Sequence, residues 1–163
     1  MVAWHRVTGR HGKHQKEATD MSDTRSAEAG AITGGCLCGK VRYTATGEPA
    51  FSGLCHCRNC QRNTGSAFET VVAFPAASVS VQGELKTYVD TGDSGQSVRR
   101  RFCPNCGSGV LAEVDVMPGV AVLLAGTLDD PAGFKPTVDV YWSSAQPWVV
   151  AGGERTQFAK MPS

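Results

Sequence analysis

No run of apolar residues in this chain is long enough to cross a bilayer. The longest, Val120-Ala-Val-Leu-Leu-Ala125, falls far short of the roughly 20 residues a membrane helix needs and reads as a core strand. Charge is also scarce: 19% of residues are charged and the net charge is +1, so the bulk electrostatics ask for neither nucleic acid nor an anionic membrane surface. The first twenty residues, MVAWHRVTGRHGKHQKEATD, lack the apolar core of a secretory signal, so export has no support and the thiols are expected to meet a reducing cytoplasm. An odd number of cysteines, seven, agrees with that compartment. Nothing in the sequence specifies an oligomeric state.

What is present points to a mostly β chain. With 163 residues it fits one domain, and 19 glycines and eight prolines beside abundant valine and threonine describe short strands joined by tight turns. Residues 1–33 are polar and show no sustained period, which reads as a flexible tail, with Met21 a possible true start. Its histidines, His5, His11 and His14, are given no role. The domain is expected over residues 34–158, followed by a short tail at 159–163. From Lys40 the pattern alternates, with Val41 and Tyr43 on one side and Arg42 and Thr44 on the other. Further strands are expected at 68–74, 78–81, 86–89, 97–102, 109–114, 120–124 and 138–142. Only Arg58 to Thr64 reads as helical, with Gly65 as its stop.

The cysteines fall in three tight groups: Cys36-Leu-Cys38, Cys55-His-Cys57-Arg-Asn-Cys60 and Cys103-Pro-Asn-Cys106. Thiolates one to three residues apart can turn inward on a loop and share a metal, whereas a disulfide needs Cα atoms about 4.4–6.8 Å apart with a particular torsion. Cys36, Cys38, Cys103 and Cys106 together supply four ligands, enough to close a tetrahedral structural zinc. Each pair is followed by a glycine, Gly39 or Gly107, which lets backbone amides approach the sulfurs. The competing reading is a set of buried or redox cysteines. A thioredoxin-like use of Cys103-x-x-Cys106 would need a helix after it, and strand-like residues flank it on both sides.

Cys55, Cys57 and Cys60 leave a second metal with one position open, the arrangement of a catalytic zinc. A remote acid could instead close the site, with Glu69 and Asp139 as candidates. His56 is the less favoured fourth ligand, because neighbours in an extended segment point opposite ways; a supporting or surface position suits it better. Arg99 and Arg101 should share one strand face with Arg100 opposite, either as ion-paired surface or as a grip on the carboxylates of a small substrate. Trp142, Pro147 and Trp148 are read as core and lid packing, and less as an aromatic wall over the metal.

Gly35-Cys36-Leu-Cys38-Gly39, Cys55-His56-Cys57-Arg-Asn-Cys60-Gln-Arg-Asn-Thr64-Gly65 and Phe102-Cys103-Pro-Asn-Cys106-Gly107-Ser108 together resemble the glutathione-dependent formaldehyde-activating enzyme family. The resemblance runs from about Gly34 to Phe158 and takes in all seven cysteines in order. It implies a β-tent fold of short antiparallel sheets around a structural zinc on Cys36, Cys38, Cys103 and Cys106. It also implies a catalytic zinc on Cys55, Cys57 and Cys60, hence two zinc ions per chain. The implied activity is that of a carbon–sulfur lyase on thiol–aldehyde adducts, joining glutathione and formaldehyde into S-hydroxymethylglutathione. The alternative is a non-catalytic zinc β module that binds a thiol ligand or a protein partner.

Overall fold

A computed structural model describes residues 30–162; the three tail histidines and Met21 lie outside these. In chain order the strands are β1 (Ile32–Gly35), β2 (Arg42–Ala45), β3 (Phe51–Cys55), β4 (Glu69–Pro75), β5 (Val79–Gln82) and β6 (Lys86–Thr91). They continue with β7 (Ser97–Phe102), β8 (Gly109–Val114), β9 (Val120–Leu124), β10 (Val138–Val140) and β11 (Thr156–Gln157). One short helix, α1 (Arg58–Thr64), follows β3 and ends at Gly65. The mostly β reading holds.

Two sheets share these strands. A small one runs β1-β2-β5, and a large one runs β11-β10-β3-β4-β9-β8-β7-β6. Alternation explains how they pack. Val41, Tyr43 and Ala45 from the β2 segment turn toward Val72 and Phe74 of β4, Val110 and Leu111 of β8 and Leu123 of β9, forming the main core. The intervening residues of β4, Val71 and Ala73, face the other way and join Ala112 and Val122 in a second, smaller cluster. Cys36 and Cys103 belong to the main core, so one end of it is made of sulfur.

Three elements depart from the sequence reading. β1 begins inside the expected tail: Ile32 and Thr33 pair with Ala45 and Thr44. Its sequence, Ile-Thr-Gly-Gly, carries little strand signal, yet Gly34 is needed there, because a Cβ at that position would lie 2.2 Å from the Tyr43 hydroxyl and 2.4 Å from the Thr127 carbonyl. β3 and β11 also lie outside the expected strands, being short and weakly patterned. Finally, the sheet is not antiparallel throughout. β10 lies parallel to both β3 and β11, which brings a distant segment of chain against the second cysteine group.

Candidate metal centres

The four-cysteine group forms where the small sheet meets the large one. Cys36 follows β1, and the turn closes with Gly39 N–H donating to the Cys36 carbonyl at 3.0 Å and Val41 N–H donating to its sulfur at 3.2 Å. Cys103 follows β7 in a matching turn, with Gly107 N–H donating to its carbonyl at 2.9 Å. Gly39 and Gly107 take φ of 75° and 74°, the left-handed turn conformation that favours glycine. The two turns are tied together by Leu37 N–H to Ser108 Oγ at 3.1 Å and Lys40 Nζ to Asn105 Oδ1 at 3.0 Å.

All four sulfurs lie within 4.8 Å of one another. Cys36 and Cys38 Sγ are 3.5 Å apart, and Cys38 and Cys103 Sγ 3.8 Å. Sulfurs at the corners of a tetrahedron around zinc, with Zn–S of about 2.3 Å, are separated by about 3.8 Å. The donor set therefore fits zinc, and all seven cysteines are free of disulfides. The hydroxyl of Ser108 and neighbouring amides draw the Cys106 thiol down to about 5, while burial pushes Cys103 up to about 11. Burial also works against the Cys36 thiolate, but the Val41 amide and the Cys38 and Cys103 thiols outweigh it and lower its pKa.

The three-cysteine group is built from a strand end and a helix start. Cys55 closes β3, Cys57 is the N-cap of α1 and Cys60 sits in its first turn. Their sulfurs also lie within 4.8 Å of one another. Cys60 N–H donates to Cys57 Sγ at 3.4 Å, the usual capping bond with sulfur in place of oxygen. Hydrogen bonds from the Cys55 and Cys60 thiols, aided by backbone amides, pull Cys57 down to about 2. The same sharing raises Cys55 to about 12 and Cys60 further, burial adding to both. Cys57 is thus the first thiolate of the group.

His56 points away from the sulfurs, as alternation requires, and is wholly buried rather than at the surface. Its Nε2 meets Asp139 Oδ1 at 3.0 Å, and Arg155 Nε donates to Asp139 Oδ2 at 2.9 Å. The ring is flanked by Phe68 and, edge-on at 5.0 Å, by Trp142. Asp139 is therefore engaged elsewhere and is no metal ligand. Glu69 is likewise occupied, accepting from Asn63 Nδ2 at 2.7 Å and lying 3.7 Å from Arg100. Among the described residues no acid joins the three sulfurs.

The arginine triplet divides as alternation foresees. Arg99 and Arg101 reach Glu113, and Arg99 also Asp115, on one face. Arg100 turns to the other, between Glu69 and Asp90, and its side chain reaches Cys60. Burial works against the Arg100 charge, but Cys60 and Glu69 outweigh it and raise its pKa. Its neighbours are the protein's own acids and a thiol, so it balances charge at the site. Trp148 corrects a second expectation. It is 69% exposed and borders an open cleft of about 600 Å³ with Arg58, Gln61, Arg62 and Gln146.

The sequence pattern described as "Glutathione-dependent formaldehyde-activating enzyme" matches residues 31–144. The chain belongs to that family. Its members are enzymes of formaldehyde activation, and the match takes in all seven cysteines and α1, stopping before Arg155 and the strand β11. Comparison with curated proteins gives no match. Among solved structures, a Rhodobacter sphaeroides protein known from its crystal structure aligns at 22% identity and a TM-score of 0.49, covering 64% of this chain and 91% of its own. Glutathione and formaldehyde chemistry in general follows from family membership.

Proposed function

We propose that this protein is a zinc-dependent carbon–sulfur lyase of thiol–aldehyde adducts, condensing glutathione with formaldehyde to S-hydroxymethylglutathione and working in the cytoplasm. The observation that carries this reading is the Cys55, Cys57 and Cys60 triad, three gathered sulfurs whose nearby acids are both engaged elsewhere. Bound there, zinc would supply an open position that holds an incoming thiol as thiolate. Cys36, Cys38, Cys103 and Cys106 would hold the second, structural zinc, giving two per chain.

The chain's own residues do the rest. Cys57 gives the site a thiolate at neutral pH, and Arg100 beside Cys60 offsets part of the negative charge that three thiolates bring. The cleft along α1 presents two guanidiniums, Arg58 and Arg62, with no acidic residue in its lining. Forked donors of that kind suit the carboxylates of glutathione. In the condensation, the thiolate sulfur bonds to the aldehyde carbon, the carbonyl π pair moves to oxygen, and that oxygen takes a proton. Lysis is the reverse.

Two-dimensional exchange NMR on zinc-replete protein with glutathione and formaldehyde tests this directly. Adduct interconversion should exceed the uncatalysed background and return to it in Cys57→Ser. No acceleration from protein with both zinc ions present would reject the lyase and leave a non-catalytic zinc module that binds a thiol or a protein.

A further inference from the structure

The large sheet ends at β6, which among the described residues is paired on one side only, to β7. The hairpin joining the two strands sets which of its backbone groups face outward. Gly92 N–H donates to the Gln96 carbonyl at 2.9 Å, and Gly95 N–H to the Gly92 carbonyl at 3.0 Å. Gly92 and Gln96 are therefore a hydrogen-bonded pair, and along an antiparallel ladder such pairs alternate with non-bonded ones. In the observed register the bonded pairs are then Asp90 with Val98, Tyr88 with Arg100 and Lys86 with Phe102. Thr87, Val89 and Thr91 turn their N–H and C=O groups away from β7. Ser97, opposite Thr91, agrees: its carbonyl points to the far side and accepts from Asp115 N–H at 3.1 Å.

One of these three outward residues is covered from within the chain. Thr91 N–H donates to Asp90 Oδ1 at 2.8 Å, and its carbonyl accepts from Asn59 Nδ2 at 3.4 Å. Among the described residues, the side-chain hydrogen bonds to this strand are those at Asp90 and Thr91, so Thr87 and Val89 keep an open edge. Tyr88 and Val89 are each 61% exposed. Lys86 and Asp90 stand two residues to either side of Tyr88, on the same face of the strand. An antiparallel copy related by a two-fold axis at Tyr88 sets Thr87 against Val89 and Lys86 against Asp90. Centring the axis on Val89 instead would oppose Thr87 to Thr91, whose backbone groups are already taken. Lysine on an edge strand ordinarily keeps other strands away, but here the same strand carries the acid that answers it.

We propose that this protein binds a second copy of itself through β6, edge to edge about a two-fold axis at Tyr88, joining the two large sheets into one. Thr87 of each copy exchanges two backbone hydrogen bonds with Val89 of the other. The two Tyr88 rings meet as a non-bonded pair, the geometry in which opposed side chains stand closest. Lys86 of each copy reaches the other's Asp90, which lies 3.5 Å from Arg100 and accepts from Asn59 Nδ2 at 3.1 Å. Asn59 belongs to α1, so the pairing adds a cation from one copy to the surroundings of the other's three-cysteine site.

Sedimentation of the zinc-loaded full chain over a concentration series tests this, together with amide hydrogen exchange read by NMR. Wild type should pass from monomer to dimer as concentration rises. Exchange at Thr87 and Val89 should slow over the same series, while Tyr88, already bonded to β7, stays protected throughout. Val89→Pro removes only an outward N–H, which an edge strand accepts, so the variant should keep its fold and sediment as a monomer. Lys86→Asp sets like charges opposite each other at both ends of the pairing and should weaken dimerisation about tenfold. A wild type that stays monomeric at every concentration would overturn the proposal and leave the edge to a strand of a different protein. A dimer that survives Val89→Pro, or that leaves exchange at Thr87 and Val89 unchanged, would overturn it as well. Should Val89→Pro fail to fold, Lys86→Asp decides, and dimerisation equal to wild type would sink the β6 pairing.

Discussion

His56 Nε2 and Asp139 Oδ1 meet at 3.0 Å in the interior although 83 residues separate them in the chain. Both side chains are fully buried, and Arg155 holds the second carboxylate oxygen. The pair ties the loop carrying three cysteines to the late segments β10 and β11. Asp139→Ala would leave the His56 ring without its partner and Arg155 without its anion, a loss of about 3 kcal/mol. Urea unfolding of zinc-loaded protein should show it, with zinc leaving the three-cysteine site first. An unchanged midpoint with two zinc ions retained would mean that the pair does not support the loop.

The two cysteine groups should behave differently when a ligand is removed. Cys57→Ser lies at a strand–helix junction outside both core clusters, so the variant should fold and carry one zinc instead of two. Cys103 sits in the main core with Phe74 and Tyr43. Cys103→Ser should lose cooperative unfolding, because metal binding at such a site is part of the folding free energy. Metal analysis beside thermal melts decides it, and equal damage from both substitutions would count against separate roles.

Gly34→Ala should be poorly tolerated. The added methyl has no room between the Tyr43 hydroxyl and the Thr127 carbonyl, whose positions are fixed by the hydrogen bond between the Tyr43 and Thr127 hydroxyls at 2.9 Å. A cost of about 1–3 kcal/mol follows from such overpacking. A melting temperature within a degree of wild type would show that β1 can shift away.

Acid should loosen the small sheet through Asp129. The Arg42 guanidinium, helped by the Thr33 hydroxyl, holds the Asp129 carboxyl below its usual range. A carboxylate whose pKa is lower folded than unfolded stabilises fully above the unfolded value of about 3.9, and that contribution is lost as pH falls through the folded value. Asp129→Asn should therefore flatten the acid limb of the stability profile and lower stability at neutral pH. Because the pair is nearly half exposed, the change should stay below about 1 kcal/mol.

Arg62→Ala should raise KM for glutathione several-fold with little change in kcat, the mark of binding lost equally from ground and transition states. Trp148→Ala, on the same cleft, should act in the same direction. A KM that ignores both substitutions would place the carboxylates of the thiol elsewhere.

The two sulfur clusters were legible in the sequence because the cysteines of each turn lie within a few residues of one another, a spacing that lets their sulfurs converge. The helix was legible for a similar reason: a polar run from Arg58 to Thr64 with Gly65 as stop is a local signal, while the capping role of Cys57 shows only in the fold. Asp139 was not. As an acid it looked like a candidate ligand, and only the parallel register of Val140 against Cys55 sets it on His56 instead. Such a pairing depends on a long-range return of the chain and leaves no periodic mark. β1 was hidden because its Gly-Gly end lowers strand propensity, while the close approach that requires Gly34 comes from Tyr43 and Thr127, far along the chain. The strand expected over 138–142 stops at Val140 because Tyr141 turns left-handed, which no local residue pattern announces.

The spacing of the two cysteine groups has a consequence for synthesis on the ribosome. Cys38 and Cys103, whose sulfurs lie 3.8 Å apart, are 65 residues apart in the chain. The first half of the four-sulfur site must therefore wait, as an incomplete pair, for much of the translation of the domain. Cys55, Cys57 and Cys60 emerge together within six residues. The site with fewer sulfurs is the first the nascent chain can complete, so a metal captured there early would be enclosed only when Asp139 and Arg155 arrive to lock the loop from behind.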